Sequence, residues 1–336
     1  MKRFAFALSF CAVAMMAWAA AAQAQAPFVL KAAFYGHSTD IIYTKIYKPW
    51  IDAINADPSG AVKIEAYPDG ALGKSLVAQP QLVLDGVTDI AFIGPAFSPG
   101  RFPDDQVLEL PALFKSDAEG MKVYRALLES NSLRGYEDYV VICSIMNPHN
   151  HLFGRKPMRT LSDLRGMKVR IVGATAGQTV KELGMVPILM SPVEVVEAIG
   201  RGTIEATVTV PSALYLFGID RVTSHDYLIP LGNAPLAIVM NRAKYNAMPP
   251  AARAVIDKYG MAWANAHYLK EFEPYNISMI ERMKSEKRTV VEPTPDDLET
   301  LKKIFVKVTD DWAAKAPRNA ELLAKARAIL GQASSK

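Results

Sequence analysis

The stretch that decides the fold class is residues 158–211, MRTLSDLRGMKVRIVGATAGQTVKELGMVPILMSPVEVVEAIGRGTIEATVTVP. A polar approach leads into a short strand, predicted over residues 168–172, and Gly173 ends it. A helix, a Met-Ser-Pro turn, a second helix and another strand follow. Ser191 and Glu194 have the spacing of a capping box at the start of that second helix. Strands alternate with helices in this way along the chain, which predicts an α/β protein with largely parallel sheets.

Arg170 stands in the middle of the strand predicted over residues 168–172. A guanidinium on a buried strand is costly unless an anion meets it. Held on a rigid strand, it can bind a carboxylate through two parallel hydrogen bonds. The strand therefore predicts a carboxylate-binding site, and a surface arginine on an edge strand is the alternative that the residues alone leave open.

Four short motifs follow one another along the chain. They are VKIEAYP with GALG at residues 62–73, DGVTDIA at 85–91, LELPALF at 108–114 and LRGMKVR at 164–170. In this order and spacing they resemble the solute-binding proteins of TRAP transporters, the tripartite ATP-independent periplasmic transporters. The resemblance runs over nearly the whole chain after its N-terminal segment.

The resemblance implies a two-lobed clam-shell fold in which the chain crosses between the lobes and a long helix spans the hinge. It implies a periplasmic receptor that captures a small organic acid between the lobes and delivers it to the membrane permease subunits of a TRAP system. In such a receptor Arg170 anchors the ligand carboxylate. We expect a monomer, with no cofactor.

The predicted lobes take separate stretches of the chain. Lobe I takes residues 27–146 with about 233–262, and lobe II takes about 147–232. Helices from about residue 263 to 336 are expected to brace both lobes. The helical pattern from Pro249 to Lys287 is unusually long, and Pro274 is expected to bend or break it.

Polar residues after the predicted strands are further candidates for ligand contact. The segment NPHNH, residues 147–151, follows an apolar strand, and the family's second polar contact region falls on His149 and Asn150. Two histidines with no nearby carboxylate or cysteine do not predict a metal site. Tyr35 and His37 follow the first strand, where helix capping and core packing are equally good explanations.

Other aligned positions indicate a pocket less polar than a sugar-acid site. Gly94 and Phe97 lie in the loop after the third strand, where some relatives that bind sugar acids carry charged residues. Thr209 replaces an asparagine that frequently contacts ligand in the family, and Tyr215 is a candidate apolar wall. We therefore expect a compact acid with one or two carboxylates, anchored on Arg170.

Composition and motifs exclude several other functions. The formal net charge is +4 over 336 residues, and charges of both signs are interspersed, which is not the basic face of a nucleic-acid-binding protein. A secreted hydrolase using Cys143 with His149 remains an alternative, although no G-x-S-x-G, H-E-x-x-H or phosphate loop is present. A secreted ligand sensor that does not transport is the other alternative.

The chain is predicted to be exported and processed after Ala24. MKR at residues 1–3 is followed by an apolar run at residues 4–22, and AQA at 22–24 matches the small-x-small cleavage rule. N-terminal sequencing of the protein from the periplasm is expected to show residue 25 first. Recovery of the periplasmic protein with Met1 retained would contradict this prediction.

Overall fold

The computed structural model describes residues 26–332, so the predicted export segment, residues 1–24, lies outside the described residues. Eleven strands in this part of the chain form two sheets. They are β1 (Phe28–Ala33), β2 (Val62–Tyr67), β3 (Ile90–Ile93), β4 (Tyr139–Met146), β5 (His151–Gly154), β6 (Lys168–Ile171), β7 (Val186–Leu189), β8 (Ala206–Thr209), β9 (His225–Tyr227), β10 (Pro235–Asn241) and β11 (Thr289–Val291).

Eleven α-helices cover the sheets within the same residues. They are α1 (Lys48–Asn55), α2 (Gln79–Leu84), α3 (Asp117–Glu129), α4 (Ala174–Glu182), α5 (Val195–Gly200), α6 (Pro211–Leu216), α7 (Arg242–Asn246), α8 (Pro250–Lys258), α9 (Met261–Ser285), α10 (Pro295–Ala314) and α11 (Pro317–Ile329). A π-helical turn at Tyr43–Tyr47 precedes α1. Short 3-10 turns lie at Pro95–Phe97, Pro103–Glu109, Leu161–Leu164, Pro192–Glu194 and Ile219–Arg221. The α/β class predicted from the sequence is confirmed.

The first sheet has the strand order β2-β1-β3-β10-β4, and the second has the order β11-β9-β5-β8-β6-β7. We call the first sheet and the elements packed on it lobe I, and the second sheet and the elements packed on it lobe II. Each sheet is parallel except for one strand, β10 in lobe I and β5 in lobe II. These two strands enter their sheets directly from the other lobe, without a crossover helix. They therefore arrive at the carboxyl ends of the neighbouring strands and run antiparallel to them.

Two segments carry the chain between the lobes, residues 147–150 from β4 to β5 and residues 228–234 from β9 to β10; we call them the crossing segments. They pair with each other through backbone hydrogen bonds. Asn150 N–H donates to the carbonyl of Gly232 at 2.8 Å, and Leu231 N–H donates to the carbonyl of Asn150 at 2.8 Å. Asn147 N–H donates to the carbonyl of Ala234 at 3.1 Å. The lobes are thus joined by a paired hinge.

Helix α9 is a third link between the lobes. At its lobe I end, the Asn265 side chain accepts from the backbone N–H of Ser144 in β4 at 3.1 Å and donates to the Ser144 hydroxyl at 2.9 Å. At its other end, Arg282 lies 3.8 Å from the ring centroid of Tyr215 in α6. Pro274 was expected to bend or break the helical run, and it does not break it, because α9 continues through that residue. The helical run is divided instead at Gly260, between α8 and α9.

The C-terminal part of the chain is not wholly helical, because β11 lies between α9 and α10. β11 pairs in parallel with β9 and so adds an edge strand to the sheet of lobe II. Its three residues are too few for a period-two pattern to stand out among helices. Within residues 26–332, no helix combines the length and apolarity that crossing a membrane requires.

Gly232 is expected to be essential to the paired hinge. It has a φ of +87°, and a Cβ there would stand 2.7 Å from the carbonyl oxygen of Glu109. Gly202 is the matched control, because it has a φ of +74° and a Cβ added there would meet no other atom within 4 Å. Gly202→Ala should lower the free energy of unfolding by about 1 kcal/mol through backbone strain alone. Gly232→Ala should lower it by roughly 2 kcal/mol more, because a backbone carbonyl must move. Equal losses for both variants in urea titrations would contradict the close packing at Gly232.

Candidate functional site

A cleft lies between the two sheets, at the carboxyl ends of β1, β3, β6 and β8. It holds about 720 Å³ of space that protein atoms do not fill, part of it open to solvent. Both lobes, the crossing segments and α9 contribute to its lining. Ligand sites in open α/β sheets lie at this edge of the strands. The cleft is therefore the candidate binding site.

Arg170 is the charged centre of the cleft. β6 runs between β7 and β8, and the Arg170 side chain reaches the ends of both neighbours. Its Nε donates to the carbonyl of Met190 at 3.0 Å, and its Nη1 donates to the carbonyl of Val208 at 3.2 Å. The capping box predicted at Ser191 and Glu194 is confirmed, and it fixes the turn that presents the Met190 carbonyl.

The guanidinium is buried, with Arg170 only 1% exposed, yet its Nη2 has no hydrogen-bond partner among the described residues. Burial lowers the pKa of Arg170 to about 10, against the opposing effect of the Glu194 charge. The group therefore stays protonated at neutral pH. The cleft thus presents a fixed positive charge with one donor nitrogen still unfilled, which suits an anion.

Polar side chains of the crossing segments and of β8 share the cleft with Arg170. The Asn150 amide donates to the carbonyl of Gly232 at 3.2 Å, which fixes its orientation. Thr209 ends β8 and is 5% exposed, so its hydroxyl lies at the edge of the sheet that faces the cleft. Asn147 and Ser212 also line the cleft. The NPHNH segment was predicted to contact ligand without Asn147 being singled out in it, and Ser212 was not predicted. Asn147 begins the NPHNH segment, so its place directly after β4 was the signal that marked it.

The remaining wall is formed by aliphatic side chains and by five aromatic rings among the described residues. Tyr35 and Phe97 line the cleft, as the sequence analysis expected of them. The ring of Tyr35 stacks on that of Phe92 with 6.3 Å between centroids. Burial, and next the charge of Asp40, raise the pKa of Tyr35 far above its usual value, so its hydroxyl stays neutral. Phe272 of α9 joins the same wall, although no local pattern ties it to the strand ends.

Four of the residues singled out from the sequence do not line the cleft. His37 is exposed and lies 3.6 Å from Asp69, since the turn that Asp69 holds carries it to the surface. Tyr215 donates to Glu286 at 2.9 Å, on the side of α6 that meets α9. His149 belongs to the crossing segment itself and is half-buried, and this burial lowers its pKa and keeps the ring neutral. Gly94 supports the Phe97 ring from outside the cleft.

The structure gives Cys143 none of the features of an activated nucleophile. Its thiol is fully buried in β4 and donates to the Asn265 side chain at 3.3 Å. Burial raises the pKa of the thiol well above its usual value, whereas a reactive cysteine needs a lowered one. Within residues 26–332, no three histidine, cysteine or acidic side chains come together as a metal site.

Two α/β lobes on a paired hinge, with a charged cleft between them, define a clam-shell binding protein. Residues 33–316 match the bacterial extracellular solute-binding protein family 7, DctP. Because this match covers most of the chain, the chain belongs to that family. The resemblance to TRAP solute-binding proteins, drawn above from four short motifs, is confirmed.

The relatives are distant but cover most of the chain. The C4-dicarboxylate-binding periplasmic protein DctP of Rhodobacter capsulatus is 24% identical over 284 residues, which are 82% of this chain and 83% of that protein. A marine metagenome TRAP solute-binding protein, specific for aromatic acid ligands and crystallised with 3-hydroxybenzoate, has a TM-score of 0.83 at 24% identity, covering 91% of this chain and 98% of that one. A TRAP solute-binding protein from Rhodoferax ferrireducens, with copurified benzoate, has a TM-score of 0.81 at 21% identity, covering 90% and 98%. These two structures show the shared fold.

Arg170 is expected to contribute little to the stability of the ligand-free protein. Arg170→Met removes two hydrogen bonds but also relieves the burial of an unpaired charge, so the free energy of unfolding should change by less than about 1 kcal/mol. Arg288 is the matched control, because its side chain is also buried but is paired with Asp226 at 2.6 Å. Arg288→Met should lose about 3–5 kcal/mol, since it leaves a buried carboxylate unpaired. Similar losses for both variants in denaturant titrations would show that Arg170 is a structural residue.

Proposed function

We propose that this chain is the periplasmic receptor of a TRAP-type transport system, which captures a small organic acid between its lobes and delivers it to the membrane permease subunits. The observation that carries the proposal is the buried guanidinium of Arg170, which lines a cleft between two lobes and has one donor nitrogen without a partner among the described residues. A buried charge without a partner destabilises the fold, so it is expected where a ligand supplies that partner. A ligand carboxylate is the natural partner of a guanidinium.

The contacts of Arg170 explain how a carboxylate is held. Two backbone carbonyls fix the orientation of the guanidinium, so little side-chain freedom is lost when the ligand binds. Nη2 then donates to the carboxylate in a site with little water, where a charge-assisted hydrogen bond is strong. The side chains of Asn147, Thr209 and Ser212 supply further polar contacts around the anchor.

The relatives named above support an organic acid as the ligand class. Three of them are described with a C4-dicarboxylate, 3-hydroxybenzoate and benzoate, and each of these molecules carries a carboxylate. Closure of the lobes over such an acid changes the outer surface of the receptor, which is what a permease can recognise. We propose that the receptor works as a monomer in the periplasm.

The wall of the cleft argues against sugar acids. Phe97 and Phe92 line the cleft, and their rings offer no hydrogen-bond partner to a polyhydroxylated ligand. Each buried hydroxyl left without a partner costs roughly 1–3 kcal/mol, so two of them lower affinity by about two orders of magnitude or more. A compact acid with an apolar body avoids this loss.

Binding is expected to depend on Arg170. A thermal-shift panel of organic acids, containing sialic acid and hexuronates, identifies ligands, and calorimetry then measures the strongest. Arg170→Ala should weaken binding by about 2–5 kcal/mol, the range for truncating one partner of a buried charge pair. Arg170→Lys should also bind poorly, because an ammonium cannot reproduce the planar fork. Lys168→Ala removes an exposed cation from the same strand and should leave affinity unchanged.

Two results would contradict these expectations separately. Unchanged affinity of Arg170→Ala would remove the anchor from the proposal. A panel in which only the sugar acids raise the melting temperature would refute the apolar wall and leave the receptor assignment standing.

A further inference from the structure

We infer that the cleft selects acids with a single carboxylate, bound with that carboxylate on Arg170 in lobe II and with an apolar body against lobe I. This inference rests on the proposed function. It goes beyond that function because it excludes dicarboxylates and specifies the orientation of the bound ligand in the cleft.

The first reason is the charge of the lining. Of the described residues that line the cleft, Arg170 alone carries a charge. A second ligand carboxylate would be removed from water on closure without a cation to meet it. Removing an ionised group from water without a partner is among the largest penalties in binding. One guanidinium therefore matches one carboxylate.

The second reason is the asymmetry of the two walls. Apart from Tyr35, whose hydroxyl is neutral, the lobe I side is made of apolar side chains, among them Leu76, Phe92 and Phe97. Asp40 lies behind this wall, directly before the lining residue Ile41, and it is 4% exposed. Its negative charge acts on Tyr35 and opposes ionisation of that hydroxyl. A carboxylate pointing towards lobe I would meet apolar surface with an acid behind it.

The third reason is the way in which the Phe97 ring is held. A Cβ at Gly94 would stand 2.8 Å from Cδ2 of Phe97 and 3.2 Å from Cδ2 of Leu76. Gly94 has an ordinary φ of −121°, so the backbone does not require glycine there. The absent side chain is what lets the Phe97 ring rest in its place. Gly94 is thus a positioning residue for the wall that the ligand body contacts.

Two matched pairs of probe acids test the charge limit by calorimetry. The pairs are 4-methylpentanoate with succinate and 4-isopropylbenzoate with terephthalate, because an isopropyl group occupies about the space of a carboxylate. We expect at least one of the two monocarboxylates to bind, and to bind at least about 100-fold more tightly than its dicarboxylate, since the second carboxylate is buried unpaired. Arg170→Ala should weaken that binding by at least about 30-fold.

The outcomes separate this inference from the proposed function. A dicarboxylate that binds as tightly as its monocarboxylate partner, in an Arg170-dependent way, refutes the charge limit and leaves the receptor assignment intact. Binding of other acids but of neither monocarboxylate probe refutes the apolar body assigned to the ligand. Absence of binding by every carboxylic acid of the broader panel refutes the proposed function itself.

Variants at Gly94 and Phe97 test the direction of the ligand. Gly94→Ala should weaken binding of the monocarboxylate probe by about 10-fold, because the Phe97 ring must shift. In a Phe97→Ala background the same substitution should have a much smaller effect, because only the looser contact with Leu76 remains. Gly100→Ala is the control, because a Cβ added there would meet no other atom within 4 Å. If Gly94→Ala weakens binding equally with and without the Phe97 ring, the placement of the ligand body is refuted. It is also refuted if Gly94→Ala leaves affinity unchanged when the ring is present.

Discussion

The pairing of the two crossing segments is the constraint on which the rest of the structure depends. Residues 147–150 and 228–234 run against each other between the lobes and share backbone hydrogen bonds. Because each continues into the antiparallel strand of the opposite sheet, the carboxyl ends of the parallel strands in both lobes face one another. The cleft is therefore a consequence of chain connectivity. Asn150 serves both roles, since it pairs within the hinge and lines the cleft.

Arg170 shows how the proposed binding site conflicts with stability. Its guanidinium is buried like that of Arg288, but Arg288 has the carboxylate of Asp226 as its partner within the chain. Arg170 has only two carbonyls and one unfilled nitrogen among the described residues. The two buried arginines thus differ in the partner that the fold supplies: Arg288 has a carboxylate, and Arg170 has carbonyls only. A site that holds an unpaired charge gains its stabilising interaction only when the ligand arrives.

Much of the fold was predictable, because long runs of β-branched residues and apolar residues at helical spacing indicate which side chains are buried. The strand predicted at residues 168–172 is β6, whereas β5, β7, β9 and β11 were not predicted. These four have three or four residues each, and β7 contains a proline, so alternation could not separate them from loops. In the candidate site, Arg170 was found because a cation in an apolar strand conflicts with burial. Phe272 was not found from the sequence, because it reaches the cleft from a helix far along the chain. Tertiary packing brings such residues to the cleft, and no local sequence pattern indicates that they lie there.

The two lobes contribute different contacts to the proposed capture, and this difference sets the order of its steps. Both carbonyls that orient Arg170 come from lobe II, so the anchor is in place before the lobes close. The wall around Phe97 and Leu76 belongs to lobe I, so it reaches the ligand body only on closure. An acid is therefore held first through its charge, which acts at a distance, and afterwards through apolar contact, which does not. Charge then selects which molecules enter, and the fit of the body against lobe I decides which of them the closed receptor retains.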